Sequence, residues 1–222
     1  MHSQLELIKI IQEPFAYNDI HTLFEDKTHE QIYILEHQDV YTAGKSVKEQ
    51  IEKIHNIPAV NTDRGGLWTW HGKGQIIVYF NINLRQRKMN LDNFFSKIEP
   101  VFINLIQSEI NTHCNNEYAS KIQTYADKDK RGFWIKNLNT NEVAKIGFIG
   151  LHISKGWLTH GISINYNNDL KWFDFIDPCG LGKVKITSIE EIVNHDTLHN
   201  KIELNIEKLK LKIKEKMLNC FD

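Results

Sequence analysis

The sequence contains few cysteines, and they are not arranged in pairs. Cys114, Cys179 and Cys220 are odd in number and far apart, and no CxxC motif occurs. A disulfide framework or a cysteine zinc site needs paired or closely spaced cysteines, so the sequence argues against both. We therefore expect a protein of a reducing compartment.

Long apolar runs and an excess of charge of one sign are also absent. No stretch approaches the roughly 20 apolar residues that cross a bilayer, and the start, MHSQLELIKIIQEPFAYND, resembles neither a secretion signal nor a transit peptide. The 27 basic and 28 acidic residues leave a net charge of -1, which provides no strong positive field for nucleic acid or for an anionic membrane. We expect a cytoplasmic protein that binds neither.

The composition is that of a folded protein. With 222 residues, 41% of them hydrophobic and 10% aromatic, the chain can bury a sizeable core. No repeat, linker or low-complexity segment divides it, so we expect one domain over residues 1–222. Strands and helices alternate without a strict βα order, which predicts an α/β or α+β fold.

The hydrophobic pattern predicts the main elements. Runs of the strand type cover residues 31–37, 75–84, 132–136, 144–154 and 157–166, with Lys155 and Gly156 as a hairpin turn between the last two. Helical spacing covers residues 17–24, 46–57, 92–109 and 203–218. Asp92 is the expected N-cap of the third helix, and Pro100 predicts a kink or a later start. Residues 111–130 are expected to be a surface connection.

A glycine-rich stretch, residues 62–84 (TDRGGLWTWHGKGQIIVYFNINL), is the most distinctive part of the sequence. Gly65, Gly66, Gly72 and Gly74 fall within ten residues, and Arg64 precedes the first pair. Glycine allows positive φ and a close approach of the backbone to a ligand. We interpret the stretch as a tight loop whose amides face a ligand, the alternative being a plain hairpin turn beside a basic residue.

Cys179 is the candidate nucleophile. It lies in the segment DPCGLGK, where Pro178 and Gly180 predict a sharp turn. The amides of Gly180 and Leu181 could then donate to an oxygen bound near the sulfur. A buried cysteine that only fills space is the alternative, but a core position rarely has proline and glycine on both sides. The other two cysteines lack such a setting.

The thiol needs a partner, because a cysteine of ordinary pKa, about 8.5, is mostly protonated at neutral pH. Four candidates lie in the adjacent predicted strands: Lys145, His152, Lys155 and His160. Lys145 lies in an apolar strand (AKIGFIG), where poor solvation would let it share a proton with the thiol. His160 is the conventional partner of a catalytic cysteine. The residues alone leave the choice open.

Metal and nucleotide motifs are weak. His195 and His199 are four residues apart, but Asp196 replaces the glutamate of HExxH and no third ligand is apparent. The loop matches neither a Walker P-loop nor a dinucleotide GxGxxG. We expect no metal and no cofactor.

Three segments together resemble one family, the lipoyl(octanoyl) transferases of lipoate biosynthesis. RGGLWTWHGKGQIIVYFNINL is similar to the family's RGG-x-x-T-Y-H-G-P-G-Q segment. KIGFIGLHISKGWLTHGISIN resembles its KIA-x-x-G followed by HG-x-x-x-N, and PCGL resembles its catalytic PCG. The segments occur in order between about residues 56 and 189, with Lys145, His160 and Cys179 at compatible spacing.

The resemblance implies a fold and an activity. The fold is a mixed-sheet α/β domain flanked by helices, as in biotin protein ligases and lipoate ligases. The activity is transfer of an octanoyl group from octanoyl-acyl carrier protein to a lysine of a lipoyl domain. The implied acceptors are the lipoyl domains of 2-oxoacid dehydrogenase E2 subunits and the glycine cleavage H protein. We expect a monomer.

The resemblance also implies residue roles. Cys179 would form the acyl thioester, and Lys145 would favour its thiolate and relay protons. The residues implied to line the acyl site are Arg64, Gly65, Gly66, Leu67, Trp68, Thr69, Trp70, His71, Phe148, Ile149, Gly150, His160, Gly161, Ile162 and Ser163. Arg64 and surface lysines are further expected to help dock acidic protein partners.

The sequence departs from the family pattern at four positions. Trp70 replaces a tyrosine, Lys73 a proline, Gly147 an alanine and His152 an arginine. An ATP-dependent lipoate or biotin ligase on the same fold is the alternative, although GKGQ replaces the phosphate-binding loop that such an enzyme needs. A further alternative is an inactive protein that only binds lipoyl domains. Such a protein would not need both Cys179 and a lysine partner.

Overall fold

The strands in the described part of the chain form two sheets. The computed structural model describes residues 7–178, 180, 182, 184–196 and 204–221. Its strands are β1 Ile8–Ile10, β2 Gln31–Leu35, β3 Val40–Ala43, β4 Lys53–Ile54, β5 Ile57–Asn61, β6 Trp68–His71, β7 Gln75–Asn83, β8 Ile122–Asp127, β9 Gly132–Asn137, β10 Val143–Ser154 and β11 Trp157–Asn165. Its helices are α1 Ile20–Phe24, α2 Leu91–His113, α3 Asn116–Ala119, α4 Ile189–Asp196 and α5 Ile206–Leu218, with 3₁₀ turns at Tyr17–Asp19 and Leu170–Phe175.

The larger sheet has seven strands in the order β1-β2-β7-β11-β10-β9-β8. β1 and β2 are parallel and the other neighbours are antiparallel. The smaller sheet has the order β4-β5-β3-β6, in which only β3 and β5 are parallel. Both sheets are therefore mixed, and the α/β prediction is confirmed.

Alternation along β7 separates the hydrophobic core from the other face of the large sheet. The even-numbered residues Ile76, Val78, Phe80 and Ile82 belong to the main core, which includes apolar residues of α2, α4 and α5. The odd-numbered residues Ile77 and Tyr79 point to the opposite face, as the two-residue period of a strand requires. This second face carries the cavity described below.

The long helix is confirmed, but its start is earlier than predicted. Asn90, not Asp92, is the N-cap: its side chain accepts from the Asn93 amide at 2.8 Å, and the Asn93 side chain caps the Asn90 amide in return. This reciprocal pair satisfies two amides that a helix leaves unbonded at its start. The helix then continues through Pro100 to His113, so the later start was wrong.

Residues 46–57 do not form the predicted helix. Most of the segment is irregular, and it ends in a hairpin in which Ile54 pairs with Ile57 across His55 and Asn56. Both turn residues have positive φ, 46° and 65°, which two-residue hairpin turns favour. Burial of Ile57 in the small-sheet cluster with Tyr41 and Trp70 outweighs the weak helical spacing.

Two further connections differ from the sequence prediction. Residues 111–130, expected to be a surface connection, contain the end of α2, the short helix α3 and the edge strand β8. The hairpin at Lys155 and Gly156 is confirmed, with Ser154 paired to Trp157 and φ of 51° and 90° at the two turn residues. The predicted C-terminal helix is confirmed from Ile206 onward.

None of the helices in the described ranges is long and apolar enough to cross a membrane.

Candidate active site

The glycine-rich loop is held against the turn that follows β3. The amides of Gly44, Lys45 and Ser46 donate to the carbonyls of Leu67, Arg64 and Gly66, respectively. A Cβ on Gly44 would collide with the Gly66 carbonyl, so this close approach requires glycine.

The amides of the loop were expected to face a ligand. The Gly65 amide instead donates to the Leu151 carbonyl at 3.0 Å, which joins the loop to β10.

Arg64 is buried by this arrangement. Only 7% of the residue is exposed, and its guanidinium donates to the carbonyls of Thr42, Gly65 and Leu67 and to the Thr42 hydroxyl. A guanidinium bonded to several carbonyls fixes the loop rather than reaching outward. The expectation that Arg64 docks a protein partner was therefore wrong.

A cavity of about 400 Å³ lies between the loop and the second face of the large sheet. Fourteen of the fifteen residues predicted to line an acyl site border it: Arg64, Gly65, Gly66, Leu67, Trp68, Thr69, His71, Phe148, Ile149, Gly150, His160, Gly161, Ile162 and Ser163. The cross-strand pairs Phe148–Ser163 and Gly150–Gly161 form its floor, which β7 continues with Ile77 and Tyr79. The structure thus brings two distant sequence segments to one site.

Trp70 is the exception. Thr69 and His71 border the cavity, whereas Trp70 points away and packs edge-on against Phe173, with ring centroids 5.8 Å apart. Alternation along β6 accounts for the difference. Trp70 therefore belongs to the small-sheet cluster rather than to the cavity wall.

Lys145 occupies one end of the cavity and is 1% exposed. Its Nζ donates to the Arg131 carbonyl at 2.8 Å and lies 3.4 Å from the Lys130 carbonyl. It also lies 4.9 Å and 5.2 Å from the ring centroids of Trp134 and Phe148. Carbonyl oxygens and aromatic faces both stabilise an ammonium group, so the site holds a cation away from bulk water.

Cys179 lies outside the described residues, but its described neighbours lie near the cavity. Gly180 has φ of +62°, and a Cβ there would be 2.5 Å from Leu67 Cδ1. Farther along, the Lys145 amide donates to the Lys185 carbonyl, and the Thr187 amide donates to the Lys145 carbonyl. The chain following Cys179 therefore contacts both the loop and Lys145.

The other candidate thiol partners lie away from Lys145. Lys155 is exposed in the hairpin turn at the far end of β10. His152 Nε2 lies 3.3 Å from Asp63 Oδ2, and its Nδ1 is 3.1 Å from Lys45 Nζ. Of the four candidates, Lys145 and His160 border the cavity, at different ends.

Two histidines border the cavity in low-dielectric surroundings. Burial lowers the pKa of His71 well below its usual range, and the nearby charge of His37 acts in the same direction. Its Nδ1 lies 2.6 Å from Gln75 Oε1. Burial also lowers the pKa of His160, although its hydrogen bond to Asp63 opposes this. Both rings are therefore neutral near pH 7.

The sequence reasoning missed several residues in or beside the cavity. Arg131 supplies a carbonyl to Lys145, and Gly132 leaves room for that side chain. Asp63 precedes the RGG motif and bonds His160, while Tyr79 borders the cavity from a run that was predicted only as a strand. The period-two pattern of β7 could have identified Tyr79. No local signal identifies the Arg131 carbonyl, because its role depends on how β9 packs beside β10.

Comparison with known proteins gives consistent matches. The family profile of the lipoyl protein ligase A/B catalytic domain matches residues 11–217. An octanoyltransferase of Rickettsia prowazekii (strain Madrid E) is 37% identical over 177 residues, 78% of each chain. An octanoyltransferase of Buchnera aphidicola subsp. Schizaphis graminum is 33% identical over 201 residues, 87% of this chain and 84% of the relative.

Solved structures share the fold at low sequence identity. A candidate lipoate protein ligase from T. acidophilum, solved with bound lipoic acid, aligns with a TM-score of 0.63 at 10% identity and covers 96% of this chain and 84% of its own. P. falciparum LipL1 in complex with lipoate aligns with a TM-score of 0.55 at 14% identity over 92% of this chain and 56% of its own. The fold predicted from the sequence motifs is confirmed.

Proposed function

The chain belongs to the lipoyl protein ligase A/B catalytic domain family, and we propose that it transfers an octanoyl group from an acyl carrier protein to a lipoyl-domain lysine through a thioester on Cys179. It is an acyltransferase, and its octanoyltransferase relatives assign it to octanoyl transfer in lipoate biosynthesis. The carrier, the acceptor and the thioester are the parts proposed here.

The position of Lys145 carries the proposal. A buried cation supports a nucleophilic thiol by stabilising its thiolate. Lys185 and Thr187, which follow Cys179 in the sequence, are hydrogen-bonded to the Lys145 backbone, and Gly180 lies against Leu67 of the cavity wall. These contacts favour Lys145 over His160 as the partner of the thiol.

The proposed reaction has two steps. In the first, the Cys179 thiolate attacks the carrier thioester; its sulfur bonds the acyl carbon, and the carrier leaves as a thiolate that takes a proton from Lys145. In the second, the acceptor amine attacks the new thioester, forming the amide and releasing the Cys179 thiolate, while the amine proton passes to the neutral Lys145. The first step exchanges one thioester for another and the second forms a more stable amide, so no ATP is consumed.

The tetrahedral intermediates need a donor to their oxyanion. The amide of Gly180 is the proposed donor, because the positive φ of this residue, 62°, fits the sharp turn that the sequence predicts beside the thiol. One such donor typically contributes about 3 kcal/mol to transition-state stabilisation.

The cavity wall supports an acyl substrate. Its central side chains, Leu67, Phe148, Ile149 and Ile162, are apolar, and each methylene buried there stabilises binding by about 0.8 kcal/mol. The proposed acceptors are the lipoyl domains of 2-oxoacid dehydrogenase E2 subunits and the glycine cleavage H protein. A monomeric state and a cytoplasmic location stay predictions.

Intact-mass measurement tests the proposal. The protein is mixed with octanoyl-acyl carrier protein without ATP or metal, alongside Cys179→Ser and Cys114→Ser. We expect a hydroxylamine-sensitive octanoyl adduct on the wild type and on Cys114→Ser, but not on Cys179→Ser, and its transfer to an apo lipoyl domain. Acylation of that domain only when ATP and free octanoate are supplied would instead establish the ATP-dependent ligase.

A further inference from the structure

A second, open space of about 480 Å³ adjoins the cavity. It lies along the end of β10, between the glycine-rich loop and the start of α2. We call it the outer groove and define it by six residues that border it: Lys45, Leu91, Phe95, Arg131, His152 and Ile153. The acyl site described above does not account for these side chains.

The outer groove meets the cavity beside the first residue of β9. Five residues border both spaces: Gly65, Gly66, Arg131, Ile149 and Gly150. The pairing of β10 with β9 ends at Phe148, opposite Gly132, and the Gly65 amide donates to the Leu151 carbonyl farther along β10. Between these two contacts, the edge of β10 has no strand beside it in the described part of the chain. The passage between the two spaces lies at this edge.

Arg131 connects the outer groove to the reactive end of the cavity. Its carbonyl accepts from Lys145 Nζ at 2.8 Å. Its guanidinium lies on the groove side, 4.1 Å from the centroid of the Phe95 ring and 3.5 Å from Glu99 Oε1. A chain that passes Arg131 from the groove therefore arrives beside Lys145, where the thioester is proposed to react.

The wall of the outer groove contains exposed apolar side chains from two elements. Leu91, in the first turn of α2, is 37% exposed, and Ile153, near the end of β10, is 41% exposed. Phe95 is half-buried between them and the Arg131 guanidinium. Single exposed apolar residues are common, but a group that borders one groove indicates a binding site.

Lys45 supplies a cation at the other end of the groove, beside His152. Its Nζ lies 3.1 Å from His152 Nδ1, the one hydrogen bond of this ammonium within the described ranges. An ammonium has three donors, so two remain for a ligand. The Asp63 carboxylate also borders the groove, but it is already bonded to His152 and His160.

The acyl donor has the chemistry that such a groove requires. A carrier protein bears its thioester on a pantetheine arm, an extended chain of methyl and methylene groups and two amides that is joined to the protein through a phosphate. The hydrocarbon groups suit the apolar wall, and the amides can bond to an unpaired strand edge. A phosphate suits an ammonium with free donors. An extended peptide would suit the edge but would bring no phosphate to Lys45.

We propose that the outer groove binds the phosphopantetheine arm of the acyl carrier, with the phosphate beside Lys45 and the thioester reaching Lys145 past Arg131. This assignment rests on the proposed acyl transfer and adds the route by which the donor enters. The octanoyl chain occupies the apolar cavity, and the chemistry at Cys179 is unchanged.

Two small donors test the phosphate contact. Octanoyl-phosphopantetheine and octanoyl-pantetheine differ only in the phosphate, and transfer of their acyl group to an apo lipoyl domain gives the ratio of their kcat/KM values. We expect the phosphorylated donor to be favoured by about fivefold, the upper range for an exposed ion pair. High salt should lower this ratio by screening. A wild-type ratio near one at low salt overturns the proposal.

A lysine variant assigns this preference to the groove. Lys45→Met is expected to bring the donor ratio close to one. Lys48→Met is the matched control, because Lys48 is an exposed lysine of the same segment that does not border the groove, and it should keep the wild-type ratio. An unchanged ratio in Lys45→Met contradicts the assignment of the phosphate.

A second variant tests the apolar wall. Octanoyl-N-acetylcysteamine carries only the sulfur end of the arm, so the preference for octanoyl-pantetheine over this donor measures contacts of the outer half. Ile153→Ser is expected to lower that preference by about threefold, the order of one lost methylene contact. Leu211→Ser, which changes a 62% exposed leucine on α5, should leave it unchanged. Equal preferences in Ile153→Ser and the wild type contradict the proposed path.

A binding measurement separates this proposal from the proposed function. Thermal unfolding of the wild type and of Cys179→Ser is followed with phosphopantetheine or pantetheine, neither of which carries an acyl group. Greater stabilisation by phosphopantetheine in both proteins, lost in Lys45→Met, supports the groove even if no octanoyl group is transferred. Equal stabilisation by the two compounds rejects it even if transfer is efficient. Lys45-dependent stabilisation by the apo lipoyl domain instead would assign the groove to the acceptor and overturn the proposal.

Discussion

The side chain of Lys145 packs against the Cα of Gly132. A Cβ on Gly132 would lie 2.5 Å from Lys145 Cε and 3.0 Å from its Nζ, and φ at Gly132 is +147°. The glycine that opens β9 therefore leaves the space in which the buried lysine sits. Replacing this glycine tests whether turnover depends on the position of the Lys145 side chain and not only on its presence.

Gly132→Ala is expected to lower turnover strongly, because the added methyl group would lie 2.5 Å from both Lys145 Cε and the Gly147 carbonyl oxygen and so shifts the lysine and the strand that carries it. We expect a loss of at least tenfold in kcat/KM per folded molecule, with a loss of stability of about 1–3 kcal/mol from the strained φ. Gly156→Ala is the matched control. That residue also has positive φ, at 90°, but its neighbour is the flexible Arg85 side chain. Equal loss of turnover in both variants would mean that strain alone is responsible.

Lys145→Met should remove the cation while retaining most of the side-chain volume. The expected result is a fall in kcat/KM of about 10²–10⁴-fold, the range of a missing acid-base group. Lys185→Met is the control, because its backbone pairs with Lys145 while its own side chain is exposed. Formation of the octanoyl adduct, followed by mass after rapid quenching, checks the prediction. A wild-type rate of adduct formation in Lys145→Met would reject the role.

Lys210→Met is expected to destabilise the fold. Lys210 is fully buried, and its Nζ lies 2.8 Å from Glu36 Oε1, while Glu36 Oε2 accepts from the Gly74 amide at 2.8 Å. Removing one member of a buried ion pair typically costs about 3–5 kcal/mol, because the other charge is left uncompensated.

Urea unfolding checks this prediction, with the exposed Lys208→Met as the control. The double variant Glu36→Gln with Lys210→Met should lose less than the sum of the single losses, since the residues share one interaction. If the losses in unfolding free energy of the two single variants were additive, the ion pair between Lys210 and Glu36 would not couple α5 to the glycine-rich loop.

Unfolding free energy is expected to fall as the pH is lowered. Burial lowers the pKa of His37 to about 4, against the weaker effect of its hydrogen bond to the Phe15 carbonyl. Between pH values of about 6.5 and about 4 the unfolded chain binds more protons than the folded one, so stability is complete above this window and is lost through it. The slope is up to about 1.4 kcal/mol per pH unit for each such histidine. His71 acts in the same direction.

Urea unfolding at several pH values measures this dependence. His37→Gln should show a shallower slope than the wild type, because glutamine does not titrate. His21→Gln, which changes an exposed histidine, should keep the wild-type slope. Parallel slopes in all three proteins would contradict the prediction.

The sequence by itself determined the elements whose pattern is strong and local. The strand-type runs of β7 and β11, the turn at Lys155 and Gly156 and the apolar face of α2 each depend on neighbouring residues, and all were predicted. The three motifs also identified fourteen residues that border one cavity. Patterns of this kind persist in the fold because local preference and burial agree.

The tertiary structure decided what depends on distant partners. The spacing of residues 46–57 suits a helix, but packing of Ile57 beside Tyr41 and Trp70 makes the segment irregular and then a hairpin. Burial of Arg64 follows from carbonyls of β3 and of its own loop, and the environment of Lys145 comes from β9 and the residues just before it. Only the packing of the strands decides which backbone carbonyls, glycines and carboxylates surround a side chain, so no local pattern could reveal these contacts.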